Sequence, residues 1–332
     1  MTTKAPANIA PLVGAGDDPE ALLALCKASA DPLRLDVLRV LSRDSFGVLE
    51  LCNIFDCRQS GMSHHLKILA NANLATTRRE GNSIFYRRAS RAPGDRLNEL
   101  QQALYRAIDT QPLPPQYQQK MLEVQAERAA CSQAFFSENA DKFRQQQEQI
   151  AAYELYGPNA VELLARCTGA SGGEVLEVGP GEGAFLAELS PRFDRVYALD
   201  NSAQMLEKAE GFARDSGLPN VHFIHGDTKD PQLRELSVDC AVVNMVLHHI
   251  PSPADIFFDL AGVIKTGGQL FVTDLCRHDQ DWVRESCGDL WLGFEPEDLT
   301  QWAAEAGFKA GENIYLAQRN GFRVQIRQFI HI

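Results

Sequence analysis

Apolar residues recur at two different periods along the chain, and the changeover falls near residue 170. Before it the spacing is helical. Ala21, Leu22, Leu25 and Cys26 share one face of a first predicted helix that starts at Pro19. Asp31-Pro32 reads as a cap followed by a first-turn proline, and Leu33, Val37, Leu38 and Leu41 carry the second helix. Val48, Leu49, Leu51, Cys52 and Phe55 predict a short third helix. A fourth opens at Gln59 with a small, polar first turn, and Met62, Leu66 and Leu69 form its apolar stripe. Two short runs, 74–79 and 83–88, flank Glu80-Gly81-Asn82 and predict a two-stranded hairpin with a basic tip. Leu97, Leu100, Leu104 and Ile108 return to helical spacing. The segment Gln111-Pro112-Leu113-Pro114-Pro115 is a stiff linker. Residues 116–149 then read as long, mostly polar helix with Met121, Val124, Phe135, Phe136 and Phe143 as apolar anchors.

After a helix around Ala160, Val161, Leu164 and Ala165, short apolar runs alternate with helical ones. The runs 174–178, 195–199, 221–224, 240–244 and 269–273 predict strands, with helices near 184–189, 203–216 and 253–264. That alternation predicts a doubly wound parallel sheet with a ligand at the strands' carboxyl ends. At the end of the chain, 314–318 and 322–326 flank Arg319-Asn320-Gly321, a hairpin signal. The expected organisation is α/β multidomain: a loose tail (1–18), a helical and winged domain (19–110), a Pro-containing linker and long helix (111–150), and a Rossmann-like domain (151–332).

Charge sharpens the division. The 332 residues carry a net charge of −12. Residues 21–91 hold eleven Lys and Arg against six acids, which is +5 and leaves −17 for the remainder. A basic front end on an acidic body suits a polyanion partner. No apolar run approaches the length of a membrane span, and the first residues lack a signal-peptide core, so the expected location is cytoplasmic, with no membrane partner. The eight cysteines are scattered without a C-x-x-C pair and are expected to be reduced.

Helices followed by a hairpin predict a winged helix-turn-helix with the fourth helix in the major groove. Ala28-Ser29-Ala30-Asp31-Pro32-Leu33-Arg34-Leu35, Ser60-Gly61-Met62-Ser63-His64-His65-Leu66 and Arg79-Glu80-Gly81-Asn82-Ser83-Ile84-Phe85-Tyr86 resemble the ArsR-type family of bacterial repressors. The resemblance implies a homodimer, with 97–108 as dimer helix, on a double-stranded DNA operator. It also implies that Gln59, Ser60, Ser63, His64 and Lys67 face bases or phosphates and that Arg78, Arg79 and Arg87 hold the backbone. The alternative is that His64 and His65 only cap or pack and the arginines form a solvated edge. Relatives in that family bind metals through Cys-x-Cys in the third helix. Here the second position is Ile54, the dimer helix has no histidine, and no metal site is expected.

The run Glu174–Val178 breaks into Gly179, Gly181 and Gly183, a strand-turn-helix that brings bare backbone to a ligand. With Ala184 the turn also satisfies the nicotinamide fingerprint G-x-G-x-x-A. Glu177 before the glycines, Asp200 at the next strand's end, His225-Gly226-Asp227-Thr228 after the third and Asn244 at the end of the fourth resemble the class I methyltransferase fold. The resemblance implies that S-adenosylmethionine (SAM) or S-adenosylhomocysteine (SAH) is held by Glu177, Gly179, Gly181, Gly183, Asp200, Asn201, Asp227, Thr228 and Asn244. His248 and His249 sit where a catalytic base or substrate contact belongs, or cap a helix. The order of the two parts resembles fused ArsR–methyltransferase regulators. That implies a repressor whose SAM/SAH-binding domain controls DNA binding at genes of the methionine and SAM cycle. The alternative is an active methyltransferase acting on a small-molecule acceptor.

Overall fold

The structure is a computed structural model that describes residues 19–91, 94–139, 143–168 and 172–332, without the side chains of Phe143 and Arg144. The expected tail, residues 1–18, lies outside the described residues. Contacts divide the chain into two compact units. One holds the residues up to Arg78 together with Ile84–Gln118, and the other holds Arg79–Ser83 and Gln119–Ile332.

Up to Asp109 the elements α1 (Pro19–Ser29), α2 (Pro32–Val40), β1 (Phe46–Gly47), α3 (Val48–Phe55), α4 (Gln59–Asn71), β2 (Ala75–Glu80), β3 (Ser83–Arg88) and α5 (Asn98–Asp109) follow in order, all in the first unit except the hairpin tip Arg79–Ser83. Asp31 accepts the Arg34 N–H at 3.0 Å and Pro32 needs no donor, so α2 starts where the cap residue allows it. The α3 helix starts at Gly47, whose N–H donates to Glu50 Oε2 at 2.7 Å. It ends at Asp56 in the left-handed conformation, φ 49°, which frees the chain to turn into α4. Leu25, Val37, Leu38, Leu51, Ile54, Met62, Leu66 and Leu69 close a common core. The strands form a three-stranded sheet in the order β1-β3-β2. α5 is pinned to the base of this hairpin by buried polar groups. Tyr105 Oη donates to Leu74 O at 2.8 Å, and Gln101 Nε2 donates to Ala89 O at 3.0 Å. Arg88 forms a bidentate pair with Asp109 at 2.6 and 2.7 Å and donates to Leu38 O at 2.6 Å.

Within the helix expected over 116–149 the structure describes α6 (Pro115–Asn139) and α7 (Phe143–Ala151); residues 140–142 between them lie outside the described residues. The second unit continues with α8 (Tyr153–Thr168), β4 (Glu174–Val178), α9 (Leu186–Leu189), β5 (Arg195–Asp200), α10 (Ala203–Asp215), β6 (Val221–His225) and β7 (Val238–Asn244). It closes with α11 (Pro253–Ala261), β8 (Ile264–Leu275), α12 (Trp282–Cys287), α13 (Pro296–Glu305), β9 (Phe308–Ala317) and β10 (Arg323–His331). Seven strands line up as β6-β5-β4-β7-β8-β10-β9, parallel from β6 to β8, with β10 antiparallel to both β8 and β9. Near-continuous apolar strands such as β7, with Cys240, Ala241, Val242 and Val243 all buried, fit a sheet covered by helices on both faces. Strand order reverses between β4 and β7, so the crevice for a ligand opens at their carboxyl ends. The C-terminal hairpin is longer than the 314–326 expected, because β9 and β10 pair out to Phe308 and His331.

Tyr105→Phe deletes one buried hydrogen-bonding group while its carbonyl partners keep other donors. It is expected to cost about 1 kcal/mol in the first unit's stability, read as a lower denaturation midpoint at unchanged slope.

Candidate cofactor pocket and DNA-reading face

A cavity of about 610 Å³ lies over the β4–β7 reversal point, within the second unit. Its floor is the turn after β4. Gly179 sits at φ 67°, and a Cβ there would come within 2.5 Å of Val246 Cγ2, so only glycine lets this backbone reach the cavity. Gly181, at φ 58°, lines the cavity beside it. Gly183 does not line it. A Cβ on Gly183 would meet Phe212 at 3.0 Å and the Ala209 backbone at 3.4 Å, so the third glycine lets the turn pack against α10.

The strand-end residues converge as the spacing predicts. Glu177, Asp200, Asn201, Asp227, Thr228 and Asn244 all line the cavity. Glu177 is 1% exposed and its Oε2 has no hydrogen-bond partner, and burial pushes its carboxyl up to about 8. Burial also raises Asp200, to about 6, against the N–H that Ser202 donates to Oδ1 at 2.8 Å. Asp227 is exposed and accepts the Lys229 N–H at 2.8 Å, which shapes the loop after β6. Thr228 donates its hydroxyl to Asp259 at 2.6 Å, so its Oγ1 proton is already engaged. Neither polar atom of the Asn244 side chain has a partner. The next residue, Met245, holds φ 56° without being glycine, a strained backbone of the kind kept at ligand sites.

The two candidate catalytic histidines separate. His248 is 1% exposed and is not among the lining residues, so it does not present a base to the cavity. Its Nδ1 donates to Asp274 at 2.8 Å, and Asp274 also accepts the N–H groups of Leu247 and Leu275 at 2.9 and 2.7 Å. Burial opposes the charge on His248, but Asp274 and Asp289 outweigh it and push its pKa up. His249 does line the cavity, with its ring 4.8 Å from that of Phe136 in an edge contact. Burial and the neighbouring His248 hold His249 well below the usual histidine range, so it is neutral.

The remaining wall is a helix that strand-end reasoning does not find. Leu122, Gln125, Ala126, Ala129, Ser132 and Phe136 of α6 line the cavity, joined by Tyr153 and Tyr156 of α8. The signal was present as a stripe of small and apolar residues at helical spacing on an otherwise polar helix, of which only the aromatic run stands out in sequence.

In the first unit, α4 buries Met62, Leu66 and Leu69 and exposes Gln59, Ser60, Ser63, His64 and Lys67. Five of the eight expected DNA-reading residues thus share one solvent-facing helix surface. Arg79 is also exposed and Arg87 is half-buried. Arg78 is 5% exposed, so it does not offer its guanidinium to a phosphate, a correction to the expected set. The alternation of the strand turns its side chain to the face opposite Arg79.

Comparison with known proteins agrees with the two units. Residues 30–78 match the family model of a helix-turn-helix domain, and 176–272 match that of a methyltransferase domain. An uncharacterized methyltransferase of Mycobacterium tuberculosis is 34% identical over 122 residues, covering 34% of this chain and 59% of that protein. A ubiquinone biosynthesis O-methyltransferase of Sodalis glossinidius is 28% identical over 126 residues, covering 38% of this chain and 51% of its own length. The chain therefore spans only a little over half the length of these relatives. Magnesium protoporphyrin IX methyltransferase from Synechocystis PCC 6803, solved with bound SAH, superposes with a TM-score of 0.51 at 18% identity, over 62% of this chain and all of that one. That likeness concerns the fold.

The donor set fits SAM or SAH. Carboxylates at strand ends suit ribose hydroxyls and a cationic amino-acid end, and a cofactor without phosphates does not conflict with them. Glu177 must ionise to meet a cationic ligand. SAH binding near pH 7 is therefore expected to release a proton, seen as a calorimetric enthalpy that varies with the buffer's ionisation enthalpy and is flat in Glu177→Gln. A buffer-independent enthalpy in the parent protein would contradict this. Because the folded-state pKa of Glu177 lies above its ordinary value of 4.5, its contribution disfavours the fold increasingly as pH rises from about 4.5 to about 8. Glu177→Gln should flatten the stability profile across that window. Gly179→Ala, strained in backbone and in contact with Val246, is expected to lose SAH binding. The chain joins a helix-turn-helix domain to a methyltransferase domain of Rossmann-like, seven-stranded fold.

Proposed function

We propose that the chain is an ArsR-type transcriptional regulator, a homodimeric repressor whose methyltransferase-type domain binds SAM or SAH and thereby sets its affinity for operator DNA. The observation that carries the reading is the polar, exposed face of α4, where Gln59, Ser60, Ser63, His64 and Lys67 stand on a helix anchored by Met62, Leu66 and Leu69. A helix with this division is suited to the major groove. Arg79 supplies a phosphate contact from the hairpin. The dimer is supported by α5, on which Leu100 is 41% exposed, while Leu97, Leu104 and Ile108 are only partly covered. α6 supports the coupling, since it begins in the first unit and supplies the roof of the cavity in the second. A ligand that prefers one placement of α6 shifts the population of DNA-binding forms. The controlled genes are those of the methionine and SAM cycle, as the resemblance to fused regulators implies, and the location is cytoplasmic.

A second reading, an active methyltransferase on a small-molecule acceptor, is favoured by one feature. The cavity continues from the carboxylates to an apolar wall of Leu122, Ala126, Ala129 and Phe136, where an acceptor fits beside the cofactor. Methyl transfer from SAM chiefly requires in-line positioning, which this wall could provide.

Fluorescence anisotropy on the upstream DNA at fixed salt, titrated with SAH and with SAM, tests the regulator. The expected result is DNA affinity that changes with one ligand more than with the other. Binding indifferent to both would overturn the coupling and leave turnover of labelled SAM as the next assay. Lys67→Ala and Arg79→Ala are each expected to weaken binding to all sequences and to reduce the salt slope by about 0.9 per lost phosphate contact. Leu104→Glu, placed on the partly covered face of α5, is expected to convert dimer to monomer in light scattering and to abolish operator binding.

A further inference from the structure

We propose that His248, His249 and Asp289 form a divalent-metal site, of the class that takes zinc, behind the wall of the cofactor cavity. One donor atom from each residue lies within 4.8 Å of the others, and all three residues are buried. Two imidazoles and a carboxylate are a nitrogen–oxygen donor set suited to zinc. The second, independent observation is Asp289 itself. It is 2% exposed, and neither carboxylate oxygen has a hydrogen-bond partner. A buried carboxylate without donors is costly, and such groups are normally paired or coordinate a metal.

The surroundings are those of a positioned ligand set. Asp274 accepts from His248 Nδ1 at 2.8 Å and is held by two backbone N–H groups, which fixes the ring and leaves Nε2 as the ligating atom. A carboxylate behind a ligating imidazole is the usual outer partner of a metal-bound histidine. His249 Nδ1 lies 3.9 Å from Asp289 Oδ1 and 3.3 Å from Gly288 O, a carbonyl to which it donates and which it must release to ligate the metal. Bonds of about 2.0–2.2 Å in a tetrahedron place donors about 3.4 Å apart, so this pair closes by about half an ångström on binding. A dication neutralises the carboxylates of Asp274 and Asp289. The binding also ties two segments together. Asp289 belongs to the loop whose Leu290 and Trp291 N–H groups donate to His248 O at 2.9 and 3.1 Å. Trp291 Nε1 donates to Ile250 O at 2.8 Å, and Ile250 lines the cavity. The metal is a clamp on the cavity wall, and methyl transfer does not pass through it. Sequence spacing hides the site because Asp289 lies forty residues after His249.

The test uses the untagged full-length protein, stripped of metal, given one equivalent of Zn²⁺ and passed through gel filtration. About one zinc per chain is expected to remain, with a rise in melting temperature, and Co²⁺ in its place is expected to give visible d–d absorption. Asp289→Asn and His248→Gln should each lose the zinc and the rise. Calorimetric SAH binding by Asp289→Asn shows that the variant is folded, since Asp289 does not line the cavity. Absence of retained zinc in the parent protein overturns the site. Retention undiminished in Asp289→Asn also overturns it, by placing the metal on the thiols. A variant Asp289→Asn as stable as, or more stable than, the zinc-treated parent likewise overturns it, because the carboxylate then serves only as a counter-charge to His248.

Discussion

The second unit depends on how closely the turn after β4 approaches the exit of β7. Gly179 and Val246 leave no space for a Cβ between them, and Met245 accepts a left-handed backbone to make the approach. Two strand ends brought this close form the floor of a crevice, and whatever ends those strands is forced to its rim. Glu177 and Asn244 are desolvated there with polar atoms unpaired. Such groups destabilise an empty core and suit a ligand that supplies charge and hydrogen bonds, so the same constraint that shapes the pocket selects its chemistry.

The wall opposite this floor has a different origin. α6 has few apolar residues, with Val124 its one buried side chain among those described, and it cannot be held by a broad apolar face. Small residues at helical spacing let it lie close over the cavity, where Phe136 reaches the His249 ring. A weakly buried helix has fewer contacts to lose when it moves, which suits an element shared between a ligand cavity and a DNA-binding unit.

In the first unit, capping and burial divide the labour. Asp31, Gly47 and Asp56 determine where helices begin and end, while Met62, Leu66 and Leu69 turn the polar face of α4 outward. Buried polar groups of α5 hold the hairpin base, which leaves the leucines on its other side incompletely covered. The two sides of α5 thus differ: one holds the hairpin base through buried polar groups, the other leaves leucines partly covered.

Local chemistry made much of this legible in the amino-acid order. Periodicity located α1 to α4, the hairpin and the parallel strands, because each element is defined by residues near in sequence. The cavity-lining carboxylates were also readable, since strand ends in a doubly wound sheet converge by topology. Packing decided the rest. Gly183 is needed where the turn packs on α10, Arg78 was buried while Arg79 was not, and His248 was withdrawn from the cavity by Asp274. The meeting of His248, His249 and Asp289, like the α6 roof, arises from segments far apart in the chain. Sequence determines which side chains an element offers to each face. Only the tertiary structure decides which faces meet, because desolvation and close contact act between residues that are neighbours in space alone.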